Sequence, residues 1–214
     1  MIKAAIFDLD GTLLDSLGVW ERIDEDFLSR RGLSVTDEYT DAVSVLRFYD
    51  AAVFTKNYYN LSESAEAILA EWRKRAVSEY SRTVALLPGA ALYLERLKAA
   101  GLRICAATTL DESLYAPALA RNGITGFFES VRSTSEVSRG KEFPDIYLYA
   151  ARKMGVAPKE CAVFEDVPKA AASAKAAGTT VYGVTAACSA RDAARLAEIC
   201  DGIIGDFTSA PLPR

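Results

Sequence analysis

The sequence of 214 residues contains no histidine. That absence excludes Ser-His and Cys-His nucleophile pairs and every imidazole metal ligand, so catalysis must run on carboxylates, hydroxyls, lysine or thiols. Cysteine is scarce and scattered: Cys105, Cys161, Cys188 and Cys200 form no C-x-x-C. Cys105 and Cys161 sit inside apolar runs and read as small core residues, so a reduced, cytoplasmic setting is expected. Excess basic charge is missing too. Lys and Arg number 25 against 29 Asp and Glu, a net charge of -4, so nucleic acid is not the expected partner. No apolar run approaches the roughly 20 residues that span a bilayer. The run after Met1 ends in Asp8, too short for a signal-peptide core, and no membrane partner is expected. Internal repeats and low-complexity tracts are absent.

What is there is the balance of a soluble globular protein, half apolar and a quarter charged. Five short runs rich in β-branched or aromatic residues read as strands: Ile2–Phe7, Leu102–Ala107, Ser130–Ser133, Cys161–Phe164 and Thr179–Val184. Gly101, Gly155 and Gly178 each close a helical pattern just before one of them. Helix–Gly–strand, three times over, predicts an α/β fold with a Rossmann-like, doubly wound parallel sheet. Ligands of such sheets bind at the carboxyl ends of the strands. More than 90 residues separate the first run from the second, far beyond what a crossover needs. That stretch shows helical spacing over Trp20–Arg31, Tyr39–Phe54 and Ala65–Ser81, broken at Gly32 and Asn57–Asn60. It reads as an all-helical insert at 16–82 in a core domain of 1–15 and 83–214, with Pro88-Gly89 marking the return.

Four elements carry chemistry. Asp8-Leu9-Asp10-Gly11-Thr12 ends the first strand with two acids on one side and a glycine for a sharp turn. Thr108 and Thr109 end the second run, where hydroxyls can bind a phosphate oxygen. Lys141 sits in a loop just before a helix begun by Pro144. Glu165-Asp166 closes the fourth run, and adjacent like charges there are costly without a cation. Singly, each of the two middle elements reads as an ordinary strand end or solvated loop. Gathered at one sheet edge, the four supply carboxylates, a lysine and a threonine, the inventory for Mg²⁺ and a phosphate.

In order and spacing these elements resemble the four motifs of the haloacid dehalogenase superfamily, and the insert resembles its C1 helical cap. The closest likeness is to the phosphoglycolate phosphatase and β-phosphoglucomutase branch. The resemblance implies a phosphoric monoester hydrolase in which Asp8 is the nucleophile and Asp10 the acid, then base. It assigns phosphate binding to Thr108, Lys141 and the amides around Leu9, Gly11 and Thr109. It assigns Mg²⁺ to Asp8, Asp166, the Asp10 carbonyl and, assisting, Glu165. The implied substrate is a small phosphorylated metabolite, a sugar phosphate or a phosphoglycolate-like compound. A monomer is expected, with a dimer as the alternative.

The chain departs from the family pattern at Val167, where Ser is common, at Ala170, where Gly is, and at Glu142, where Pro usually follows the lysine. Val167 supplies no hydroxyl, and Glu142 puts a negative charge beside Lys141. A β-phosphoglucomutase-like mutase is the alternative activity, weakened because those enzymes use a histidine early in the cap where this chain has Trp20. A non-catalytic phospho-acceptor or binding protein is a further alternative, although the motif order differs from that of receiver domains. Trp20, Phe48, Phe54, Tyr58 and Tyr59 read as core of the insert, and Arg47 and Lys56 as its solvated face.

Overall fold

The computed structural model describes residues 1–213. In chain order, β1 (Ala4–Phe7) and β2 (Leu14–Asp15) lead into four helices: α1 (Leu17–Ser29), α2 (Asp37–Val43), α3 (Phe48–Tyr58) and α4 (Ala65–Arg82). β3 (Ala85–Leu86) returns, followed by α5 (Ala90–Ala99), β4 (Arg103–Thr108), α6 (Glu112–Arg121) and β5 (Ser130–Ser133). The chain ends with α7 (Asp145–Lys153), β6 (Cys161–Glu165), α8 (Pro168–Ala176), β7 (Thr180–Val184), α9 (Ala190–Ile199) and β8 (Gly202–Ile204).

Six strands form one parallel sheet in the order β5-β4-β1-β6-β7-β8. β1 is central and buried on both faces, which is why Ala4-Ala5-Ile6-Phe7 is a continuous apolar run and not an alternating one. Phe7 lies level with Ala106 of β4 and Phe164 of β6. Asp8, Thr108 and Glu165, each one or two residues further on, therefore emerge at the same edge. Beneath that edge Phe7 stacks on Phe164 with centroids 4.3 Å apart, and Phe164 stacks on Tyr182 at 5.2 Å. Phe7 and Phe164 are fully buried and Tyr182 half-buried, and the stack makes a floor for the acids above it.

The helices α1 to α4 leave and re-enter through a two-stranded antiparallel ribbon, with Leu14 opposite Leu86 and Asp15 opposite Ala85. Within them Phe27, Trp72 and Phe48 pack as an aromatic core. α4 also packs along α6 of the sheet layer. The helix expected over Tyr39–Phe54 is interrupted between Val43 and Phe48. Two β-branched residues flank Ser44 there, and the Val45 carbonyl accepts the Lys141 amide at 2.8 Å instead of a helical partner. β8, a three-residue edge strand, escaped the sequence reading because its alternation is too short to register. No helix among the described residues is long and apolar enough to cross a membrane.

Candidate active site

Of the predicted residues, Asp8, Asp10, Thr109, Lys141, Glu165 and Asp166 meet at the carboxyl edge on the wall of a cavity of about 670 Å³ between the sheet and the inserted helices. Asp8 and Asp166 are buried, Glu165 is 0% exposed and Lys141 is 3% exposed. The Lys141 ammonium donates to Asp8 Oδ1 and, at 2.6 Å, to Glu165 Oε1. Tyr147, from the first turn of α7, donates to the same Glu165 oxygen at 2.6 Å. Thr12 donates to Asp166 Oδ1 at 3.1 Å.

Three carboxylates and one lysine leave this buried cluster short of positive charge. Burial, then the Asp8 charge and the neighbouring Glu165, push the Asp166 pKa far above the usual carboxylate range. Burial, opposed by Lys141, lifts Glu165 to about 7. Burial works against the Lys141 charge as well, but Asp8 and Glu165 outweigh it and hold its pKa above the ordinary lysine value.

A divalent cation fits this arrangement. Asp8, Glu165 and Asp166 each offer an oxygen, all within 4.8 Å of one another. Glu165 Oε2 is buried without a hydrogen-bond partner. An all-oxygen, anionic donor set of this kind suits a hard ion such as Mg²⁺.

Gly11 has a part that its composition alone did not reveal. Its φ is +70°, and a Cβ there would lie 2.2 Å from Asp166 Oδ2, so only glycine lets that carboxylate close on the turn. Its amide donates to the Leu14 carbonyl at 2.9 Å and is committed to the turn, not left open to a phosphate. Thr108 is buried, and its hydroxyl oxygen accepts the Leu110 amide at 3.1 Å, leaving its own hydrogen to donate. Thr109 lines the cavity.

Asp10 stands apart. Its carboxylate is outside the three-acid group and turned toward the inserted helices. Ser16 donates to Oδ1 at 2.6 Å and the Tyr80 hydroxyl to the same oxygen; the Trp20 indole N–H reaches Oδ2 at 3.3 Å. Burial and the Asp8 charge raise the Asp10 pKa to about 6, against the pull of these donors. Trp20 is thus a neighbour of the acid, not merely core of the insert. The roles of Tyr80, in the last turn of α4, and Tyr147, in the first turn of α7, carried no signal in the sequence, because each reaches the site through tertiary packing.

The departures are accommodated. Val167 lines the cavity with no hydroxyl to offer, and Pro168 opens α8 as its first residue. Glu142 bends back over Gly140, and its Oε2 is buried without a partner. Arg47 is held bidentately by Asp50, at 2.5 and 3.1 Å.

The sequence matches the family model of haloacid dehalogenase-like hydrolases over residues 2–178. It is 36% identical to hexitol phosphatase A of Escherichia coli K12 over 190 residues, 86% of this chain and 83% of that one. It is 34% identical to protein CbbY of Rhodobacter capsulatus over 191 residues, 84% of each. The fold superposes on a β-phosphoglucomutase crystal structure from Clostridium difficile with a TM-score of 0.83 at 18% identity, covering 99% of this chain and 94% of that one.

Proposed function

The chain belongs to the haloacid dehalogenase-like hydrolases as a phosphoric monoester hydrolase, and from that premise we propose an Mg²⁺-dependent phosphatase acting through an aspartyl phosphate. The observation that carries this reading is the pairing of two differently served acids at one strand end. Asp8 is gripped by Lys141 beside Glu165 and Asp166, whereas Asp10 is held by neutral donors.

In this mechanism Asp8 attacks phosphorus, forming a carboxyl–phosphate bond as the ester P–O bond breaks. Asp10 gives its proton to the departing alkoxide. It then takes a proton from water, which attacks the phosphoaspartate and releases inorganic phosphate with the Asp8 carboxylate regenerated. Lys141 and Thr108 hold the equatorial oxygens and offset their growing charge. Asp8, Glu165, Asp166 and the Asp10 carbonyl would hold the cation, which when bound supplies charge neutralisation at the phosphoryl group.

Cavity charge narrows the substrate. Acids outnumber bases in the lining, and the bases are engaged. Lys169 donates to the Asp41 carbonyl at 2.7 Å, Arg191 pairs with Asp41 at 2.6 Å, and Arg195 with Asp41 at 3.6 Å. A second anionic group would meet this excess of acids, with Lys169 the one lining base that has no carboxylate partner among the described residues. This favours the monophosphate of a neutral polyol or sugar over a phosphoglycolate-like acid. The same logic disfavours a phosphosugar mutase, whose bisphosphate intermediate needs a second anion site, and the chain has no histidine to serve one.

Phosphate release with Mg²⁺ should be measured on a hexitol monophosphate, 2-phosphoglycolate and a hexose bisphosphate. The neutral polyol ester should be preferred by at least about tenfold in kcat/KM, the scale of one unfavourable charge contact. Preference for phosphoglycolate would overturn the substrate reading; no release from any monoester, p-nitrophenyl phosphate included, would overturn the phosphatase.

A further inference from the structure

Among Asp8, Asp10, Glu165 and Asp166, Asp10 is the acid held by the inserted helices and their stem. Ser16 lies where the chain enters the inserted helices, Trp20 is in α1 and Tyr80 in α4, so both limbs of the insert's stem converge on this carboxylate. The three contacts differ in kind. The Trp20 N–H is 2.7 Å from the Tyr80 oxygen but 3.3 Å from Asp10 Oδ2. An indole has one hydrogen to give, so it goes chiefly to the phenol. Tyr80, having accepted it, donates its own hydrogen to Asp10 Oδ1. The result is a directed chain from indole to phenol to carboxylate, in which each bond polarises the next. Ser16 donates to Oδ1 as well.

Oδ1 is therefore saturated by two hydroxyls, and Oδ2 keeps only the long indole contact. Tyr80 itself is fully buried, with Trp20 packed against it at 6.2 Å between centroids. Its hydroxyl bonds Trp20 on one side and Asp10 on the other. A buried phenol placed with its donor on one oxygen of a carboxylate fixes the rotation of that carboxylate.

We propose that Tyr80, backed by Trp20, is a positioning residue that anchors Oδ1 of Asp10 and presents Oδ2 to the substrate's leaving oxygen. This rests on the phosphatase reading with Asp10 as acid. Tyr80 touches no reacting atom; it acts by keeping the proton-bearing oxygen aimed into the cavity. Because the anchor sits in α4 and the acid follows β1, the aim of Asp10 depends on how the inserted helices seat on the sheet.

The test is Tyr80→Phe, which keeps the ring and its packing and removes only the hydroxyl. The rate of leaving-group release is measured in single turnovers with an alkyl phosphate, a poor leaving group, and with p-nitrophenyl phosphate, a good one. The variant should lose roughly tenfold or more on the alkyl ester, within the usual worth of general acid catalysis, and less than about threefold on the aryl ester. KM should stay near that of the wild type. In an Asp10→Asn background the same change should add little, since a residue acting through Asp10 has nothing left to position. Trp20→Phe should give a smaller loss with the same selectivity, and it carries the test if Tyr80→Phe does not fold. Equal losses on both esters, no loss, or an undiminished effect in the Asp10→Asn background would overturn the proposal. If Asp10→Asn itself discriminates between the esters and Tyr80→Phe does not, only the positioning role falls. If Asp10→Asn does not discriminate, the phosphatase mechanism falls and the inference falls with it.

Discussion

Asp8 and Asp10 are two residues apart in one motif, yet the molecule serves them in opposite ways. At the sheet edge, Asp8 shares Lys141 with Glu165 and lies among acids that together lack compensating charge. On the side of the inserted helices, Asp10 receives only hydroxyl and indole donors and no cation. Asp24 of α1 repeats the second pattern, with the Tyr39 hydroxyl at 3.5 Å as its hydrogen-bond donor and burial lifting its pKa to about 7. The sheet side collects negative charge that a cation would offset. On the helical side, burial lifts Asp10 to about 6 and Asp24 to about 7 with neutral donors alone around them. In the proposed mechanism, one fold thereby divides nucleophile from acid by what surrounds each carboxylate.

The largest effect should come from the nucleophile. Asp8→Asn should lower phosphate release by more than about a thousandfold, since an amide neither attacks phosphorus nor neutralises Lys141. Retention of a tenth of the activity, read by inorganic phosphate assay, would remove the distinction between the two acids.

Next is the cation. Chelation should abolish turnover, and Mg²⁺ should restore it. The folded protein without a cation holds Glu165 and Asp166 with pKa values above their unfolded values. Between roughly pH 4.5 and 7 it therefore binds more protons folded than unfolded, and its stability falls as the pH rises through that window. Mg²⁺ relieves the repulsion, so the rise in Tm on adding it should be larger at pH 8 than at pH 5. A shift independent of pH would mean that the cluster is not where the ion binds.

The floor of the site offers a mid-sized effect. Phe164→Ala removes a fully buried ring stacked on Phe7 and Tyr182 and should cost about 3–5 kcal/mol in chemical denaturation. A cost near zero would contradict the picture of an aromatic base beneath the charged edge.

Asp24→Asn should have the smallest effect and the opposite sign. The raised pKa of Asp24 means that its ionisation destabilises the fold from about pH 4 up to about 7. The asparagine variant should therefore melt a few degrees higher at pH 8 and close to the wild type at pH 4. A lower Tm at pH 8 would show that the helical side needs its charge.

The sheet, its parallel sense and the positions of Asp8, Thr108, Lys141, Glu165 and Asp166 were legible, because the first four strand-like runs close on polar residues and glycine punctuates the helices. The identity of the Gly11 contact was not, since no periodicity announces a carboxylate 2.2 Å from a missing Cβ. The break at Ser44–Arg47 was hidden for a similar reason: it depends on the Lys141 amide, almost a hundred residues away, capturing the Val45 carbonyl. Tyr80 lies on the buried stripe of an amphipathic helix, where a sequence shows that a side chain is inside but not which acid its hydroxyl meets. Local chemistry wrote the sheet edge; long-range packing wrote the helical side.

The division of labour between the two acids is tested most directly by quenching Asp10→Asn during its first turnover of p-nitrophenyl phosphate with Mg²⁺. The account predicts a burst of one nitrophenolate per active site, with the phosphoryl group trapped as an acyl phosphate on Asp8, because the good leaving group needs no acid and water then lacks its base. A burst-free progress curve with no label on Asp8 would contradict it.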